Sequence, residues 1–215
     1  GGEAARHRFL ELGAQIEHAT FNPKNEGLFR AVNDVWFRGR ACVAPYVLNL
    51  EDDRAPRMLA VARSPSTPVP ADAFERQLGS SIEVLREDEF VVGVRLKHEW
   101  SDAIIAAAMA SELGQPLPWL RTSSGLPYQR HCMSLQSGFV WGSFSMAVVV
   151  YDRERLRARV GLFAEGIPYD EIPYDYAEGQ YAVRVSLAGL CTARPHFGFA
   201  CAADDAAARQ VAGAA

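Results

Sequence analysis

The side chains able to do chemistry are scattered along this sequence. The five histidines are His7, His18, His98, His131 and His196, and no two stand at helical or strand spacing. Metal ligands must converge from one face or one turn, so no metal pair is readable. Cys42, Cys132, Cys191 and Cys201 contain no C-x-x-C pair, the spacing of zinc and dithiol motifs. Three of the four sit in apolar, strand-like runs, which predicts free buried thiols acting as small hydrophobes. His131 and Cys132 are nucleophile–base neighbours, yet adjacent strand residues point to opposite faces, which argues against a dyad. The chain has no G-x-S-x-G elbow, phosphate loop or G-x-G-x-x-G fingerprint. Catalytic residues are therefore left unassigned, and neither a metal nor a cofactor is expected.

Charged clusters have ordinary readings. Glu83, Glu87, Asp88 and Glu89 surround an expected hairpin turn, where solvated charge is the default. Glu165, Asp170, Glu171, Asp175 and Glu178 lie around a repeated Ile-Pro-Tyr-Asp, at 167–170 and 172–175. Carboxylates at a barrel mouth could do acid–base work, although a solvated loop is the commoner case. Arg155, Arg157 and Arg159 alternate with Leu156, Ala158 and Val160, which predicts a strand with its arginines in water, guarding an edge.

The elements that would position these groups follow from apolar periodicity. Helices are expected over 3–18 and 22–39, the second with Leu28, Val32, Val35 and Trp36 on one face and Gly39 at its end. A strand over 41–50 and a return strand over 57–63 come next. Asp72 with Glu75 suggests a capping box for a short helix closed by Gly79. Strands follow over 80–86 and 89–97, the second with Phe90, Val92 and Val94 on one face and Arg95 and Lys97 on the other. An alanine-rich helix is expected over 102–113. Residues 114–128, rich in Pro, Gly and Ser, read as a long loop that could act as a lid. Between 129 and 164 the apolar residues alternate on two arms of a hairpin turning near Asp152-Arg153. Strands over 179–190 and 194–202 complete the set. Short connections in the second half imply antiparallel pairing, with no repeating βαβ rhythm.

The sum is a mostly β, α+β class: one domain over 1–215, with N-terminal helices about 3–38, an antiparallel barrel of about eight strands over 41–202, several short flanking helices, and a tail over 203–215. About eight closed strands leave an interior able to hold one small ligand. Phe90, Val92, Val94, Phe144, Met146, Val148, Leu162, Tyr181 and Val183 are expected to line it. The composition supports a packed core, with 49% hydrophobic and 22% charged residues, and a net charge of −4 disfavours nucleic acid. No apolar run reaches membrane-spanning length and no secretory leader pattern is present, so a cytoplasmic protein without a membrane partner is expected.

Two resemblances sharpen this reading. Ile82–Leu85, Phe90–Arg95, the helix after Trp100, and Ala177-Glu178-Gly179-Gln180-Tyr181-Ala182-Val183 resemble pieces of the GyrI-like effector-binding domains. That likeness implies capture of hydrophobic or cationic drugs between two related halves. In length, strand count, helical start and Ala/Arg/Gly/Val usage the chain resembles the small dimeric antiparallel barrels of enediyne antibiotic gene clusters. That likeness implies a homodimer holding a fatty-acyl or polyene chain. The expected function is non-catalytic binding of a long apolar small molecule. The alternatives are a cyclase-like enzyme in the same cavity and a GyrI-like drug binder.

Overall fold

The computed structural model describes residues 28–39, 44–49, 73–96, 109–110, 113–132, 144, 148–165 and 174–195. The expected elements over 3–18 and 57–63 and the tail over 203–215 fall outside them. The class is α+β. Six strands form one mixed sheet: β1 (Tyr46–Asn49), β2 (Val91–Arg95), β3 (Leu120–Arg121), β4 (Pro127–His131), β5 (Val149–Asp152) and β6 (Cys191–Pro195), in the order β1-β5-β2-β6-β4-β3. The described sheet is open, with β1 and β3 at its edges, so these strands do not make the closed barrel of about eight expected from the sequence. Its central pair, β2 with β6, is parallel, and the other four pairs are antiparallel. A parallel pair needs a long crossover, and here the chain between 96 and 190 supplies it.

Three segments expected as strands are helices. Residues 80–86 belong to α2 (Ala73–Glu87), which continues through Gly79. Gly79 is exposed, and a Cβ placed there would have nothing within 4 Å, so it neither caps nor blocks the helix. Gln77, Ser81, Val84 and Leu85 are buried at helical spacing, and the Ser81 hydroxyl donates to the Gln77 carbonyl at 2.7 Å. The second arm of the expected hairpin is α3 (Arg153–Arg159). Asp152 is its N-cap and not a turn residue: its carboxylate accepts from the Arg155 amide at 2.8 Å. Leu156 and Val160, four apart, are its buried face. The segment 179–190 lies largely in α4 (Tyr174–Leu187), where Glu178, Tyr181, Ala182 and Val185 are buried at helical intervals. Tertiary burial overrides the strand preference of its valines.

Arg155 is a further correction. Its guanidinium does not stand in water with the exposed Arg157 and Arg159. It donates to the carbonyls of Leu85 and Asp88, each at 2.8 Å, and to that of Val91. It also pairs with Asp152 at 3.2 Å. One side chain thereby ties the end of α2 and the start of β2 to α3.

Helix α1 (Leu28–Asn33) continues into a π-helical turn, Asp34–Arg38. The wider turn brings Phe37, five residues after Val32, onto the buried face with Trp36, and leaves Val35 48% exposed. Gly39 lies so close to the Asp34 carbonyl that a Cβ would stand 2.6 Å from its oxygen. Residues 109–110 and 113 are helical, as expected, while Leu120–Arg121 pairs with Pro127 and Tyr128 as a hairpin within the stretch 114–128 expected as one long loop.

The sheet is covered on both faces. Trp36, Phe37, Val92, Phe144, Val149, Tyr151, Leu156, Phe163, Tyr181, Ala182 and Val185 belong to the core on one face. Val84, Leu85, Val91, Val94, Leu96, Tyr128, Val148, Val150 and Ala193 belong to the core on the other, where α2 packs. The pairing of β2 with β6 shifts between Val91 and Gly93, and this bulge sends Val92 and Val94 to different faces. A Cβ at Gly93 would lie 2.5 Å from the Tyr151 ring, so glycine lets that ring lie flat against β2.

Candidate functional site

The structure divides the residues expected to line one cavity. Val92, Phe144, Leu162 and Tyr181 come together in the aromatic core. Phe144 stacks on Tyr151 at 5.0 Å and meets Tyr181 edge-on at 4.8 Å, while Phe163 stacks on Tyr181 at 3.8 Å. These rings fill one another's space. The Tyr181 hydroxyl donates to the Gly161 carbonyl at 2.9 Å, and burial pushes the phenol well above its ordinary pKa. Val94 and Val148 lie on the opposite face. Val183 is half-buried, and Phe90 is 41% exposed beneath the Arg130 guanidinium at 4.9 Å. Met146 lies outside the described residues.

Asp88, expected in a solvated turn, is buried. It accepts from the Tyr128 hydroxyl at 2.9 Å, from Arg130 Nε at 2.5 Å and from the Phe90 amide at 3.1 Å. Burial first, and this carboxylate second, push the Tyr128 phenol up to about 12. The tip of the β3–β4 hairpin docks beside it. Ser123 donates its amide and hydroxyl to Glu87, and the Ser124 amide donates to Glu83 at 3.0 Å. Contacts from Ser124 hold the Glu83 carboxyl below its ordinary value. Asn33 and Arg38 do the same for Glu165, at 2.6 and 2.5 Å. These networks join elements and leave little for a ligand.

A different group was not legible as a site. Arg95, His131 and Thr192 are 8%, 0% and 0% exposed, and Glu178 is 4% exposed. Their placement follows from register. Arg95 stands opposite Val149, a member of the aromatic core, so the two share a face. Thr192 alternates with Ala193, which packs on the other face, so Thr192 lies on the aromatic face; His131 is its direct partner. Glu178 precedes Tyr181 and Ala182 by three and four residues, on the buried side of α4. One sheet face therefore carries rings over β5 and β2 and enclosed ionisable groups from β2 to β4.

No protein family, curated protein or solved structure matches this chain.

The chemistry of that face rests on its own residues. Met109 and Leu117 pack with Cys132 in a small apolar cluster at the end of β4, and Trp119, 50% exposed, directly precedes β3. The sequence pattern sets Arg95 on the side of β2 away from the expected apolar lining. The strand is central and covered on both sides, so that side is enclosed as well.

Proposed function

We propose that this protein is a non-catalytic binder of a long apolar small molecule with an anionic end, such as a fatty-acyl or polyene carboxylate. The observation that carries the reading is Arg95, a guanidinium enclosed on the central strand beside an aromatic core. Trp119, 50% exposed just before β3, offers apolar surface for the chain. Such sites are mostly apolar with few polar anchors. Each buried methylene contributes about 0.8 kcal/mol, so a chain of about sixteen carbons offers on the order of 10 kcal/mol before ordering costs. That scale supports roughly micromolar affinity. A homodimer in the cytoplasm completes the proposal; β1 and β3, the edges of the sheet among the described residues, are where a second copy would pair.

Native mass spectrometry with added hexadecanoate and with the matching alcohol tests the reading. A single saturable adduct with the acid, far weaker with the alcohol, supports it. Equal binding of both, or of neither, contradicts it. A second reading is polyene cyclisation, for which the buried Glu178 and His131 are the ionisable groups that would act away from water. Conversion of a bound polyene into a product of equal mass would establish that reading.

A further inference from the structure

The free-thiol expectation fails for two of the four cysteines: Cys132 and Cys191 are joined by a disulfide. We propose that this disulfide is a redox-active site, opened by small dithiol reductants while the sheet stays folded.

Position is the argument. His131 pairs with Thr192 in the antiparallel register of β4 and β6, so one step further places Cys132 opposite Cys191. Their Cα atoms are 4.4 Å apart, the spacing of a directly facing cross-strand pair. The two strands are held independently by the pairs from Tyr128↔Pro195 to His131↔Thr192. Breaking the sulfur–sulfur bond leaves that ladder in place and keeps the two thiols face to face, ready to reoxidise. The two sulfurs also differ. Cys191 is 4% exposed, and its amide donates to the Phe90 carbonyl at 2.7 Å, which locks it into the sheet centre. Cys132 lies beyond the last residue of β4 and is partly exposed, beside Met109 and Leu117. An incoming thiolate therefore has an approach to Cys132 Sγ and none comparable to Cys191.

The exchange balances. One thiolate of the dithiol attacks Cys132 Sγ, the bond to Cys191 breaks, and Cys191 leaves as a thiolate that takes a proton from water. The second thiol of the reductant then attacks the mixed disulfide. Cys132 is released as a thiolate, and the reductant departs as a cyclic disulfide, its thiols having given up two electrons. Cys132 and Cys191 follow and precede the His131↔Thr192 pair by one residue, so by strand alternation the disulfide lies on the opposite face from those two side chains, at the same end of the β4–β6 ladder. In a reducing compartment, disulfides of this kind are characteristically transient and not structural.

The test uses the full chain, kept without reductant and then treated with dithiothreitol under native conditions. Free thiols are alkylated and mapped by peptide mass, which separates Cys132 and Cys191 from Cys42 and Cys201, while circular dichroism follows the fold. Expected are a Cys132–Cys191 linkage beforehand, its reduction with the spectrum unchanged, and its return when the dithiothreitol is removed and oxidised glutathione is added, which takes up the two electrons and leaves as two reduced glutathiones. In the single variants, Cys191→Ser should take up glutathione from its disulfide at Cys132 about tenfold faster than Cys132→Ser does at Cys191. Reduction that requires denaturant, a spectrum lost in step with reduction, or free thiols at both positions in the oxidised protein would overturn the proposal.

Discussion

Replacing Arg155 with methionine should cost on the order of 3 kcal/mol, a large effect for an arginine in a row of alternating ones. The guanidinium donates to the carbonyls of Leu85, Asp88 and Val91 and pairs with Asp152. Hydrogen bonds from a charged donor are worth about 1.5–3 kcal/mol each when a partner is truncated. The side chain is 19% exposed, so water re-solvates part of what is lost, and the sum falls below three full bonds. Methionine keeps the aliphatic stem, which separates the polar loss from lost packing. For a chain of this size about 3 kcal/mol lowers Tm by roughly 6–12 °C. Urea unfolding followed by circular dichroism should show a lower midpoint at unchanged slope. Arg157→Met on the exposed side of α3 is the control, expected within about 0.5 kcal/mol of wild type. Equal midpoints for the two variants would refute the assignment of Arg155 as the tie between α2, β2 and α3.

Two glycines test elements that depart from the sequence pattern. Gly79→Ala should stabilise by about 1 kcal/mol, because Gly79 is exposed inside α2; destabilisation in a thermal melt would mean that the helix ends there. Gly93→Ala should destabilise by about 1–3 kcal/mol, since its Cβ meets the buried Tyr151 ring; a neutral result would reject the close approach. Tyr128 should ionise near pH 12 in an ultraviolet titration. A folded pKa raised above the unfolded value near 10 gives stability that is present below pH 10 and lost as pH rises toward 12. Asp88→Asn should lower that pKa only part way, because burial is the larger cause; full return to the ordinary value would reverse this ranking.

The sequence carried β1, β2 and the α+β class, because those strands pair alternation or a continuous apolar run with clear boundaries. It misled where two periods overlap. Leu156 and Val160 fit both a strand alternation and a helical face, and only the capping contact of Asp152 decides between them. Tyr181, Val183 and Val185 alternate, yet Glu178, Tyr181, Ala182 and Val185 are the buried set. Gly79 resembles a stop because glycine often ends helices, but an exposed glycine is tolerated inside one. Of the expected lining, Val92, Phe144, Leu162 and Tyr181 do gather, in one aromatic core. The enclosed polar groups were hidden because the register of Arg95 and His131 depends on pairings more than 30 residues apart, and Glu178 comes from a helix that the sequence pattern presented as a strand. The disulfide was hidden for the same reason, with 59 residues separating its cysteines.

The central claim is that Arg95 anchors the anionic end of a long apolar ligand. The direct measurement is a fluorescence titration with a conjugated polyene fatty acid, on wild type and on Arg95→Met, with folding of both checked by circular dichroism. The account predicts saturable micromolar binding by wild type and a loss of at least about tenfold in the folded variant, the scale of one charged hydrogen bond. Equal affinity in both proteins, or no saturation by wild type below about 100 μM, on the weak side of that affinity scale, would contradict it.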